Sequence, residues 1–127
     1  MSMTRFLNID LDLRSKSNLK ELLEAFGSTV IILNHEEEGC ASIEIATDKH
    51  PVSIDEAILD YYNIINSLPT KARTIWNKCD VRSMNIGVQA GTNPYSKNFT
   101  LSKHTISLLS SINAEVVISI YADKKCE

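Results

Sequence analysis

The order of hydrophobic periods predicts an α+β fold: a single mixed or antiparallel sheet of about six strands with helices packed on one face, in the order β-α-β-β-α-α-β-β-α-β. Three observations carry this. Leu7, Ile9, Leu11 and Leu13 alternate with Asn8, Asp10 and Asp12, the period of a strand with one dry and one wet side. Ile54, Ile58, Tyr61, Ile65 and Leu68 then recur at helical spacing. Met84, Ile86, Val88 and Ala90, alternating with Ser83, Asn85, Gly87 and Gln89, bring the period of two back.

The elements follow in order. After the first strand, Asn18 with Glu21 gives a capping-box start. Leu19, Leu22, Leu23 and Phe26 form one helical stripe, and Gly27 supplies a left-handed stop. Val30-Ile31-Ile32-Leu33 is a continuous branched run, suited to a central strand. His35 to Gly39 reads as a polar turn, and Ala41, Ile43 and Ile45 alternate with Ser42 and Glu44 in a return strand. Ser53 and Glu56 make a second capping box, with Val52 and Ala57 as a hydrophobic staple. Two helices are expected here, over 54–67 and 70–79, separated at Pro69. The second carries the stripe Ala72, Ile75, Trp76 and Cys79.

Beyond the strand around Met84, residues 91–96 are dense in turn formers. A short strand holding Phe99 and Leu101 is expected next. Ser102 caps a helix with the stripe Thr105, Leu108, Leu109 and Ile112, stapled by Leu101 and Ile106 and ended by Asn113. Val116, Ile118 and Ile120 mark a closing strand, and 122–127 reads as a frayed tail. The strand-helix-strand run ending at Leu33 is echoed by the run from Phe99 to Ile120, a weak sign of duplication that shared physics also explains.

A chain of 127 residues suffices for one domain, here the whole of 1–127, with about two-thirds of its surface buried and no need for a disulfide or metal staple. Hydrophobic residues at 43% and charged residues at 23% exclude disorder, collagen and coiled coil. A net charge of -3 argues against a nucleic-acid partner, which calls for a basic field. Cys40, Cys79 and Cys126 are odd in number and lack ligand spacing, which points to a reducing compartment. No signal-peptide core or membrane-length apolar run is present, so a cytoplasmic protein with no membrane partner is expected.

No motif identifies a chemistry, so no catalytic residue, metal ligand or cofactor is assigned. Cys79 reads as packing beside Trp76, and His35, His50 and His104 are too scattered to share a metal. The glycines of Gly87-Val-Gln-Ala-Gly91 have the wrong spacing for phosphate binding, and Gly87 reads as a bulge or close approach. What remains is the polar side of the sheet: Asn8, Asp10, Asp12, Ser42, Glu44, Ser83, Asn85 and Gln89, with Ser119 and Tyr121 as further candidates. A solvated face explains these residues, and so does a binding surface. As a surface, Asp10, Asp12, Glu36, Glu37, Glu38, Glu44, Asn85 and Gln89 would meet a cationic protein. Two other readings stand beside it. Asp10 and Asp12, about 7 Å apart on one strand face, could serve a small metal-dependent enzyme with Glu44 as a third ligand. A structural homodimer could join sheets edge to edge.

The runs Ile9-Asp-Leu-Asp-Leu-Arg-Ser-Lys-Ser17, Leu22-Leu-Glu-Ala-Phe-Gly27, Trp76-Asn-Lys-Cys79 and Asn85-Ile-Gly-Val-Gln-Ala-Gly91 resemble small uncharacterised bacterial proteins over most of the chain. In size, acidity and architecture the chain is also similar to the immunity proteins of bacterial toxin systems. The resemblance implies a non-enzymatic, protein-binding module that inhibits a basic toxin domain, and it carries over no catalytic residue.

Overall fold

The computed structural model describes residues 2–47 and 53–123. Its elements are β1 (Arg5–Arg14), α1 (Lys20–Phe26), β2 (Val30–Asn34), β3 (Cys40–Ile45), α2 (Ile54–Asn66), α3 (Thr70–Lys78), β4 (Val81–Gln89), α4 (Lys103–Ser111) and β5 (Glu115–Tyr121). The five strands form one sheet in the order β2-β3-β1-β4-β5. Every pairing is antiparallel except β4 with β5, so the sheet is mixed.

The alternation in β1 decides which side is dry. Ile9, Leu11 and Leu13 are buried, as are Ala41 and Ile43 on β3 and Met84, Ile86 and Val88 on β4. Against them pack Leu22, Leu23 and Phe26 of α1, Ile54, Ile58, Tyr61 and Ile65 of α2, Ala72 and Trp76 of α3, and Leu109 of α4. Two buried polar tips tie this layer to the sheet and its helices to each other. The Tyr61 hydroxyl donates to the carbonyl of Ile9 at 2.7 Å, and the Trp76 indole donates to the carbonyl of Ile112 at 2.9 Å. Burying an aromatic body while satisfying its polar end specifies the helix positions as well as stabilising them. The helices therefore cover one face, as the sequence predicts.

Local chemistry also acts largely where expected. Ser53 Oγ accepts from the Glu56 amide at 3.1 Å and Ser102 Oγ from the Thr105 amide at 3.2 Å. Gly27 and Asn113 end α1 and α4 at φ of 58° and 55°. The first helix starts later than its stripe suggests, with Leu19 in the capping position, while Asn18 Oδ1 accepts the Lys20 amide at 2.8 Å. Val52, His50, Cys126 and the tail 124–127 lie outside the described residues.

Three expectations are corrected. The sheet has five strands, not about six, because Phe99 and Leu101 lie outside any strand. The connection between parallel neighbours β4 and β5 must leave the sheet and climb onto the helical layer. There Phe99 and Leu101 pack on the core, and the Ser102 amide donates to Asp55 of α2 at 3.1 Å. The internal echo consequently extends only over the helix and the strand after it. Finally, β2 is an edge strand, not a central one, and Ile31, Ile32 and Leu33 are exposed. A branched run reports strand propensity, which an edge satisfies as well as a centre.

Candidate functional site: an acidic sheet face

Strand register collects the predicted polar residues on the side away from the helices. Asp12 stands opposite Ser42 on β3 and Ser83 on β4, Asp10 opposite Asn85, and Asn8 opposite Gly87. Glu44 pairs across β3 with Ile31 on β2, and on β5 Ser119 and Tyr121 pair with Gly87 and Gln89. Side chains directly opposite share a face, so one surface runs across all five strands.

Hydrogen bonds fix the middle of that surface. Asn8 Nδ2 donates to Asp10 Oδ1 and to Glu44 Oε2, each at 3.3 Å, bridging β1 and β3. Ser42 Oγ donates to Asp12 at 2.5 Å, Ser83 Oγ to Glu115 at 2.7 Å, and Ser119 Oγ to Asn85 at 2.7 Å. Neutral donors thus hold the carboxylates in place without neutralising them. The one ion pair between described residues, Lys71 with Glu21, joins α3 to α1 on the helical side. Partial burial, then the neighbouring Glu44 and Asp12 carboxylates, push the Asp10 carboxyl above its ordinary range. The effect reaches through the sheet: burial, followed by Asp10 and Glu44, pushes the Tyr61 phenol up and keeps it a donor.

At one end this surface deepens into an open cleft of about 550 Å³, whose walls include Asp12, Arg14, Asn34, Glu36, Glu37, Cys40 and Ser42. The β2–β3 turn folds two of its three glutamates back toward Asp12. Asn34 Oδ1 accepts the Glu36 amide at 3.0 Å, and Glu37 accepts the Cys40 thiol at 3.7 Å. The turn is pinned because Gly39 lies against the chain after β1: the Ser15 amide donates to the Gly39 carbonyl at 2.7 Å, and a Cβ at Gly39 would collide with the Ser15 carbonyl.

The eight candidate residues therefore divide. Asp12, Glu36 and Glu37 share the cleft, and Asp10, Glu44 and Asn85 continue from it along the same face. Glu38 stands outside the cleft lining, and its carbonyl accepts the Leu19 amide at 2.9 Å. Gln89 uses its amide to close the sheet end, donating to the carbonyls of Tyr121 and Ala122 at 3.2 and 3.1 Å. Sequence reasoning missed Asn34, Cys40 and Glu115 as parts of the face. Glu115 is out of phase with Val116, Ile118 and Ile120, and that phase was the available signal. Gly87 is a close approach, with the bulge opposite it in β1 between Phe6 and Asn8. A Cβ there would crowd Asn8 Oδ1 at 3.3 Å and make ordinary contact with Tyr121 Cε2 at 3.6 Å.

Cys79 is buried at the end of α3, where burial raises its thiol. Among the described residues, no three His, Cys, Asp or Glu side chains converge to hold a metal ion, and no helix is long and apolar enough to cross a membrane. Comparison with known proteins found no matching family, no matching curated protein and no matching solved structure.

Proposed function

We propose that the chain is a non-enzymatic binding module of the immunity type, which covers the active surface of a cationic toxin domain with its acidic sheet face. One observation carries this reading. Asp10, Asp12 and Glu44 are fixed on a rigid sheet by neutral donors, away from the helices and, among the described residues, with no cation hydrogen-bonded to them. Keeping like charges together costs stability, and a cationic partner would return it on binding. A nuclease domain that attracts phosphates presents such a partner surface, and steering between opposite fields raises the association rate. The cleft beside Asp12, with Glu36 and Glu37 on its walls, has room for a lysine or arginine side chain from the partner. Strands give this surface the rigidity that rapid, pre-organised binding needs.

The test is biolayer interferometry of the wild-type chain and an Asp10→Lys, Asp12→Lys variant against a panel of basic toxin nuclease domains. The expected result is saturable binding of at least one domain, with an association rate that falls as salt rises, and loss of that binding in the variant. Binding that survives the charge reversal removes the acidic face from the interface. A panel that yields no binder at all rejects the immunity-type reading.

A further inference from the structure

The two edges of the sheet are built differently. β2 has five residues, suffers a register shift between Ile32 and Asn34, and runs straight into Glu36, Glu37 and Glu38. Shortness, irregularity and charge are the devices that keep an edge from pairing with another chain. β5 carries such a charge only at its first residue, Glu115. Its seven residues pair with β4 in unbroken register, and Val116 to Tyr121 contains no charge and no proline. Its flanks are apolar and open on both sides. Ile118 and Ile120 are 60% and 69% exposed beside the buried Ile86 and Val88, because the helical layer stops short of them. Val117 and Tyr121, 42% and 54% exposed, face the opposite side.

We propose that β5 is the seam of a homodimer, in which a second copy of this chain adds its own β5 antiparallel and completes a ten-stranded sheet. The strand is self-complementary about Ile118. A two-fold axis there sets Ile118 against Ile118 and Ile120 against Val116 on the helical side. It sets Val117 against Ser119 on the other, and Glu115 against the Tyr121 hydroxyl at each end. No like charges meet. The exposed parts of Val117, Ile118, Ile120 and Tyr121 come to roughly 400 Å² per copy, divided between the two faces that flank the edge. Two copies would bury at most about 800 Å² of these residues, so even with the rest of the main-chain edge the contact is that of a weak, concentration-dependent pair. Joining β5 to β2 instead would leave a free β5 at one end and a free β2 at the other, and so polymerise without closing. In the closed pair the axis stands perpendicular to the sheet, so the two acidic faces lie side by side.

Light scattering coupled to size exclusion tests this on the full chain across a wide concentration range. The expected mass approaches twice 14.2 kDa at high concentration and falls on dilution. Ile118→Lys, at an exposed position, should give a monomer with unchanged circular dichroism, while Ile32→Lys on β2 should leave the dimer intact. A wild-type chain that stays monomeric throughout overturns the proposal, including the case in which the edge takes a strand from a different protein. Dissociation by Ile32→Lys, or a dimer that survives Ile118→Lys, overturns it as well. The seam does not rest on the acidic-face reading, and either can fail alone.

Discussion

Replacing Asp10 by asparagine should stabilise the protein at neutral pH and weaken it as a ligand for a cationic partner. Asp10 lies beside Glu44 across the strand pair, and Asp12 is two residues along the same face, about 7 Å away. Asparagine keeps the shape and still accepts from Asn8 Nδ2, which reaches Asp10 Oδ1 at 3.3 Å. Its new amide protons can be given to the remaining carboxylates. The Glu44 carboxylate on the adjacent strand and the Asp12 carboxylate along the same strand cost a fraction of a kcal/mol each, so relief of both comes to about 0.5–1.5 kcal/mol at low salt. For a domain of this size that is a rise of roughly 2–6 °C in Tm. The sign with pH follows from the raised carboxyl. The folded value lies above the ordinary 3.8, so the native state binds the proton more tightly than the unfolded chain. The cost of ionised Asp10 is therefore present in full above the folded value and gone below 3.8. Thermal unfolding followed by circular dichroism at about pH 7 and about pH 3 reads both halves, with the variant ahead at the first pH and level at the second. A variant less stable than wild type by the same amount at both values would refute the electrostatic account and make Asp10 a structural residue.

Three further outcomes are expected. Tyr61→Phe removes the donor to the Ile9 carbonyl inside the core and should cost about 1–2 kcal/mol in urea denaturation. Gly39→Ala drives a Cβ into the Ser15 carbonyl and should cost about 2 kcal/mol or more, with amide-exchange protection lost first in the β2–β3 turn. Asp55→Ala removes the carboxylate that accepts the Ser102 amide, the hydrogen bond that chiefly holds Asp55 below its ordinary range. A depressed carboxyl stabilises above the unfolded value and ceases to do so as pH falls through the folded one. The Tm deficit of this variant should therefore be plain at neutral pH and shrink toward strong acid.

The sequence made the two faces of the sheet legible because each strand near the centre alternates. Leu11 and Ile43 had to share one side, and Asp12 and Ser42 the other, once their strands paired. Caps were equally local, and Ser53, Ser102, Gly27 and Asn113 all act within a few residues of themselves. What escaped depends on neighbours distant in sequence. The run Val30 to Leu33 reads the same at an edge as at a centre, and only the pairing of β3 with β1 decides between them. Phe99 and Leu101 alternate as a strand would, yet the crossover to a parallel neighbour carries them to the helices. The meeting of Glu36 and Glu37 with Asp12 depends on how the turn is pinned at Gly39. No periodicity encodes that.

The placement of β1 also governs how the chain can fold. β1 is the middle of the sheet, and its β4 partner begins only at Val81. A growing chain on the ribosome cannot complete this domain piece by piece. β1 must wait, with a bare edge available to any passing strand, until β4 has emerged, and collapse then proceeds through distant pairings at a pace set by topology.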